Sequence, residues 1–413
     1  MKIRLAHIII PLLILFVALA GGFTLLWRFF IFLVVVLLLS YFWSRLSIRF
    51  IDAHVEESPS LSQVGERFDE GFTVINRSKI FTHLIEVRED TDLPGYRNMV
   101  NMCLSSRASH AWRTEVYCRR RGRYSMGILQ VKATDPLGFF PVERRIGTRQ
   151  EIVIYPATLE LPFFEALPQQ GPGVGTRRWL ASEAGPNASR VREYVSGDSL
   201  RHIHWHTTAH TGNLMVKEFD PDRSSYAIFR EIWIVLDMHH TSQLGLGNET
   251  TEEYSVTIAA SLAKKYLDSG KRVGLITAGD RSYLLSPETG DEYLQYLLRS
   301  LSLMKATGEM PIDKLLASRA EHFETGSAVI IIMPSVNPGI AAPMRPVINR
   351  HIRVSAILLD SFSFGGGTTP ANDARSLSSS GLNVYTVRQG GDIARALDSR
   401  LTSSQTQYVG GRV

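Results

Sequence analysis

The chain is poor in cysteine. Cys103 and Cys118 are all it has in 413 residues, and they show no Cys-x-x-Cys spacing. A structural zinc site built mainly on thiolates is therefore excluded. A disulfide would need the two on neighbouring strands. Two free, half-buried thiols is the simpler expectation, and their redox state depends on the compartment. Charge of one sign is not concentrated either. The net charge is +5 with the basic residues scattered, whereas a dedicated nucleic-acid binder shows a basic face or stripe. A nucleic-acid partner is not expected. The chain also lacks a nucleophile elbow, a Walker loop and a kinase signature. Gly171 to Gly175 follows no strand and opens no helix, so it reads as linker. These absences leave no catalytic residue, cofactor or small-molecule substrate to assign, and no unit recurs at a fixed period.

What the chain does have is length and an uneven distribution of apolar residues. At 413 residues it is too long for one ordinary core, so two or more domains are expected. Its first fifty residues are mostly apolar. Residues 3–20 form a run about long enough to cross a bilayer, and Pro11 is tolerated there. Gly21-Gly22 suits a turn, and a second run covers 23–43 with Arg28 as its only charge. Arg28 sits near the turn end and can snorkel. Trp27, Tyr41 and Trp43 fall where interfacial aromatics belong. Lys2 and Arg4 precede the first run, and Arg45 and Arg49 follow the second. This bias predicts a multi-pass cell-membrane protein with its body on the cytoplasmic side. Lys2, Arg4 and Ala18-Leu19-Ala20 also fit a signal peptide with its cleavage site. The second run would then still cross from outside to inside, and the orientation is unchanged.

From 47 to 158 short alternating segments are separated by turn residues, at Glu70–Asn76, Phe81–Val87, Trp112–Cys118, Gly127–Lys132 and Glu151–Tyr155. This grammar predicts an all-β sandwich. The Arg119–Arg123 cluster reads as a solvated hairpin end, with contact to lipid headgroups as the alternative. Residues 159–229 read as a connector. From 230 to 413 continuous apolar runs alternate with helical periodicity. Strands are expected at Ile232–Leu236, Arg272–Thr277, Ala328–Met333, Arg353–Leu359 and Leu382–Val387. Helices are expected at Thr251–Leu267, Glu292–Met304 and Ile393–Leu401. The pattern predicts a parallel sheet with helices on both faces.

The most distinctive stretch lies in the connector. It contains Arg192-Glu193-Tyr194, Gly197-Asp198, Arg201, His204-Trp205 and then Val216-Lys217-Glu218. It resembles the signature of the domain-of-unknown-function 58 family: an Arg-Glu-Tyr, a Gly-Asp, an Arg and an Ile-x-Trp leading to Val-Lys-Glu. Upstream, Arg120–Tyr124 and Asp135-Pro136-Leu137-Gly138-Phe139-Phe140 look like that family's preceding strand region. The sequence departs from the family where His206, His210 and Asn213 stand at places that usually carry basic residues. The resemblance implies a prokaryotic, membrane-anchored protein with a von Willebrand factor A-like, Rossmann-type α/β domain. It also implies partnership with a MoxR-type AAA+ ATPase. Physically the motif reads as a clasp. Arg192, Glu193, Asp198 and Arg201 can form a charge-assisted network, and Trp205 offers surface to bury. A binding site for a partner or ligand is the alternative reading.

A von Willebrand factor A domain that binds magnesium usually presents Asp-x-Ser-x-Ser after its first strand. Here Asp237 and Thr241 hold the first and fifth places, but His239 holds the third. Imidazole suits a hard cation poorly, so the site reads as degenerate and no metal is expected. His202, His204 and His206 alternate and would face one side of a strand, which supports a competing reading as a zinc-type hydrolase. The leading expectation is a non-enzymatic scaffold or adaptor. It would be held at membrane lipid and serve, with the ATPase or other membrane proteins, the assembly or maturation of protein complexes.

Overall fold

The computed structural model describes residues 16, 24–56, 59–166, 190–195, 203–218, 231–335, 340–350, 352–367, 370–379 and 382–401. The chain divides into two compact units, Met1–Pro156 and Ala157–Val413.

The first unit begins with α1 (Thr24–Arg49), the one helix among the described residues long and apolar enough to cross a membrane. The expected first span, 3–20, lies outside the described residues apart from Phe16, so one apolar helix is seen rather than a hairpin. α1 also runs past the expected end at Trp43. Its last turns continue because Ser40, Ser44, Ser47 and Ile48 are buried against the β-rich body. The Ser40 hydroxyl donates to the Asp135 carboxylate and the Ser44 hydroxyl to the Phe140 carbonyl. Tyr41 meets the Phe140 ring edge-on at 5.7 Å.

Ten strands follow: β1 (Ile51–Val55), β2 (Leu61–Gln63), β3 (Arg67–Asn76), β4 (Thr82–Asp90), β5 (Met99–Leu104), β6 (Ser109–Tyr117), β7 (Gly122–Met126), β8 (Ile128–Thr134), β9 (Val142–Ile146) and β10 (Gln150–Tyr155). They form sheets β1-β3-β6, β5-β4-β8-β9 and β2-β10-β7. Period-two alternation turns Phe72 and Val74 of β3, Ile85 and Val87 of β4, and Leu129 and Val131 of β8 into one core. Each such side chain is worth about 1.5–3 kcal/mol when fully buried. A second cluster holds Val116, Met126, Ile152 and Ile154. The alternation is broken inward by two acids, Glu70 and Glu89, both buried. Cys118 is buried and Cys103 exposed, and both are free. Arg121 is buried rather than solvated. The Arg119–Arg123 turn joins β6 to β7, at the opposite ends of the strands from α1.

In the second unit, residues 159–166 are part of the α/β body and not of a free connector. Leu161 and Phe164 are buried in its core, and the Lys265 ammonium donates to the Leu161 and Phe164 carbonyls, each at 2.6 Å. Next come β11 (Arg190–Glu193), α2 (Trp205–Thr211) and β12 (Met215–Glu218). The sheet strands are β13 (Glu231–Leu236), β16 (Arg272–Ala278), β17 (Ser282–Glu288), β18 (Ala328–Met333), β19 (Arg353–Leu359) and β20 (Asn383–Val387). A two-residue ribbon, β14 (Gly245–Leu246) with β15 (Glu249–Thr250), follows β13. The order is β17-β16-β13-β18-β19-β20, with every neighbour parallel except the β17 edge.

Helices cover both faces. Ile232, Ile234 and Leu236 face α3 (Thr251–Asp268), α4 (Asp291–Leu303) and the start of α8 (Ile393–Ala396). Trp233 and Val235 face α5 (Ile312–Arg319), α6 (Ala341–Asn349) and α7 (Pro370–Ser379). α3 starts where the Thr250 hydroxyl accepts from the Glu253 amide at 3.2 Å, with Glu252 and Glu253 in its first turn.

Candidate functional site

Two places in the second unit hold the residues singled out in the sequence. The first is the small module built from β11, α2 and β12. β11 and β12 pair antiparallel, Arg190 opposite Glu218 through Glu193 opposite Met215, and Ile203 bridges to Val216. His204 is the hinge of the module. Its amide donates to the Met215 carbonyl at 2.8 Å. Its Nδ1 accepts from the Thr207 amide at 3.2 Å, capping α2. Gly212, at a φ of 73°, closes the helix in the left-handed conformation. The Met215 amide then returns to the Thr208 hydroxyl at 3.0 Å.

This arrangement overturns two sequence expectations. His204 and His206 do not alternate along a strand: the first caps a helix and the second lies within it. His206 is one turn from His210, with ring centroids 5.2 Å apart. Nor is Trp205 buried. α2 buries none of its residues, and Trp205, at its first position, is 67% exposed. Val195 is 62% exposed and Leu214 also projects into solvent. Of the expected ion network, Asp198 and Arg201 lie outside the described residues, as does Gly197 of the motif. The Arg192 guanidinium donates to the Glu193 carbonyl at 3.1 Å, and the Glu193 carboxylate accepts from Asn213 at 3.4 Å. Tyr194 donates its amide to Leu214, and Lys217 is half-buried on β12.

The second place is the C-terminal edge of the sheet, where the strand order reverses between the parallel neighbours β13 and β18. This is the usual ligand crevice of an open α/β sheet. Asp237 sits there, 2% exposed. Burial pushes its carboxyl above the ordinary range, against the opposing pull of the His239 amide and the Ser242 hydroxyl. The His239 amide donates to it at 3.0 Å, and Gln243 binds the Asp237 carbonyl at 2.8 Å. The Thr241 hydroxyl is engaged with His239 Nδ1 at 2.8 Å. The candidate positions Asp237, His239 and Thr241 are thus tied to one another. Among the described residues no group of three or more His, Cys, Asp or Glu side chains is placed to hold a metal.

Sequence reasoning missed Gly308 and Asp313 near Asp237, and Asp360 at the same edge two strands away. Gly308 is bound to the chain just after Asp237: its amide donates to the Met238 carbonyl at 3.0 Å, and its carbonyl accepts from the His240 amide at 3.0 Å. Asp313, at the start of α5, adds negative potential that raises the Asp237 pKa further. Asp360, at the tip of β19, is buried and pairs with Arg388 at 3.3 Å. A carboxylate directly after a buried strand was the available signal for Asp360. Gly308 and Asp313 carry none, because they reach the site from the loop and helix that follow α4.

Residues 190–358 match the family described as "Protein of unknown function DUF58". That stretch takes in the module and the sheet through most of β19. The chain is similar to the uncharacterized protein YeaD of Bacillus subtilis, 24% identical over 47% of this chain and 46% of that one. It is also similar to the uncharacterized protein Rv1480 of Mycobacterium tuberculosis, 28% identical over 49% of this chain and 63% of that one. The match thus spans about half to two-thirds of these relatives' own length. Among solved structures, a CARDB domain from Pyrococcus furiosus overlaps 25% of this chain at 14% identity and a TM-score of 0.20, too low to carry an argument.

Proposed function

We propose that this chain is a membrane-anchored, non-enzymatic adaptor with a von Willebrand factor A-like body, working with a MoxR-type AAA+ ATPase in assembly or maturation of protein complexes. The observation that carries the proposal is the exposure of Trp205, Val195 and Leu214 on the most family-specific module. A Trp is costly to leave in water and is the residue type most enriched at binding hot spots. The sheet order supports the von Willebrand factor A-like reading: counted along the chain it is 3-2-1-4-5-6, with one antiparallel edge.

The anchor reading is supported by the last turns of α1. A removable leader has no reason to bury three serines in the body and hydrogen-bond two of them there. We extend it to a hairpin with residues 3–20, and to a cytoplasmic body on the Arg45 and Arg49 charge bias.

The test is binding of the purified full chain, in lipid discs, to the MoxR-type ATPase of the same organism. Trp205→Ala is expected to weaken binding at least about tenfold, the scale of a hot-spot residue, and to leave the unfolding midpoint unchanged. No binding, or binding indifferent to Trp205, sinks the proposal.

A further inference from the structure

At one end of the first unit four chain segments converge around the exit of α1. They are the α1–β1 junction, the β3–β4 turn, the β5–β6 turn and the β8–β9 loop. Hydrogen bonds weld them together. The Arg77 amide donates to the Phe50 carbonyl at 2.9 Å, and the Arg107 amide to the Ser78 carbonyl at 3.1 Å. The Asp135–Phe140 loop is held to Ser40 and Ser44 as described. Leu84 of β4 lies opposite Thr134, the last residue before that loop.

The surface of this end has a particular chemistry. Phe42, Leu46, Phe50, Phe81, Leu84 and Leu137 are all exposed, Leu137 by 55%. The exposed charges beside them are Arg45, Arg49, Arg77, Lys79 and Arg107. Of the acids at this end, Asp135 is 1% exposed and engaged, Asp52 is bound by Arg77, and Glu143 is exposed on β9 next to Arg144. An apolar and cationic surface of this kind is matched by an anionic bilayer interface.

Its height is matched as well. At about 1.5 Å per residue, α1 climbs roughly 30 Å between Thr24 and Trp43, the thickness of a hydrocarbon core. Ser40 and Ser44, which hold the Asp135 loop, fall at that boundary.

We propose that this end of the β-rich unit is a lipid-contacting face. Leu137 and Phe81 dip into the interface, and Lys79, Arg77 and Arg107 meet anionic headgroups. The inference rests on the anchor reading above and adds to it: the body would lie down on the membrane, not hang from a flexible stalk. The Arg119–Arg123 cluster, at the opposite end, takes no part.

The test uses the full chain in lipid discs, with Cys103→Ser removing the exposed thiol. Nitroxide labels are placed at Leu137→Cys, Phe81→Cys and Lys79→Cys, and at Thr148→Cys in the exposed β9–β10 turn at the far end as reference. Collision with oxygen and with a water-soluble nickel chelate is measured in neutral discs and in discs containing phosphatidylglycerol. The expected result is nickel access several-fold lower at Leu137 and Phe81 than at Thr148. Shielding at Lys79 is expected to deepen with the anionic lipid. Equal nickel access at both ends overturns the proposal, and indifference to lipid charge overturns its headgroup part. Alkaline carbonate extraction separates the two readings. A chain that stays with the membrane while its labels remain in water defeats this inference alone. A chain that is released defeats the anchor as well.

Discussion

The hold of Asp135 on α1 gives the sharpest quantitative expectation. Asp135 accepts from the Ser40 hydroxyl, from the Phe140 amide at 2.7 Å and from the Leu137 amide at 3.1 Å. Replacing it with alanine orphans three donors. Leu137 lies on an exposed loop, so its amide regains water at little cost. Ser40 is 6% exposed, and neither it nor the half-buried Phe140 amide is readily resolvated. Hydrogen bonds to an ionised group contribute about 1.5–3 kcal/mol each. Two such losses, partly relaxed, put Asp135→Ala near 3 kcal/mol. For a unit of this size that is a fall in melting temperature of about 10 °C. The buried thiol of Cys118 reports on this unit alone, so its reactivity on heating in a Cys103→Ser chain is the assay. Ser40→Ala should cost about half as much, and the double variant less than the sum because the two share a bond. The pH dependence has a definite sign. Burial works against the Asp135 charge, but the Ser40 hydroxyl and the amides of Phe140 and Phe139 outweigh it and hold the carboxyl below its usual range. Its contribution is therefore present at neutral pH and is lost as pH falls through the folded-state value. A midpoint shift under about 2 °C for Asp135→Ala would refute the reasoning.

Three further outcomes are expected. A Cβ on Gly308 would collide with the Ala278 and Met238 carbonyls; Gly308→Ala should cost about 3 kcal/mol or more, read by thermal unfolding of the α/β unit. Burial holds the Glu89 carboxyl above its ordinary 4.5, although it accepts from Gly127 at 3.0 Å. Its contribution is thus fully present below 4.5 and lost as pH rises. Glu89→Gln should stabilise by about 1–2 kcal/mol at pH 8 and by less near pH 5, and loss of stability at both would refute the assignment. Burial, opposed by Glu165, lowers Lys265 to about 8 from 10.5. The folded chain releases that proton first, so wild-type stability should rise between those values. Lys265→Met should lose this slope and about 2–3 kcal/mol with the carbonyl bonds, measured by denaturant unfolding across that range.

How much of this was legible in the sequence depended on how local the signal was. Ile232–Leu236 and Ala328–Met333 are buried on both faces of the sheet, so each is a continuous apolar run and was placed within a residue. α3 carries its stripe and its cap in adjacent residues. Several elements escaped, and in the α/β sheet and its helices they were β17, α5, α6 and α7. β17 is an edge strand with one polar side and a proline, α6 contains Pro346 in mid-helix, and α7 is half serine and alanine, with little apolar periodicity.

At the candidate sites residue types were legible in the sequence, but their surroundings were not. The sequence marked Trp205, His204 and Asp237, and their spacing did not reveal that a seven-residue helix begins at Trp205 and leaves it in solvent. It gave the length and hydropathy of α1, because spanning a bilayer requires only a local run of apolar residues. It did not show that three serines on that helix turn inward, that three distant turns gather around its exit, or that Gly308 and Asp313 close on Asp237. Those facts depend on strand register and on partners tens to hundreds of residues away. Periodicity reports whether a side chain is buried, and only the folded chain decides against what.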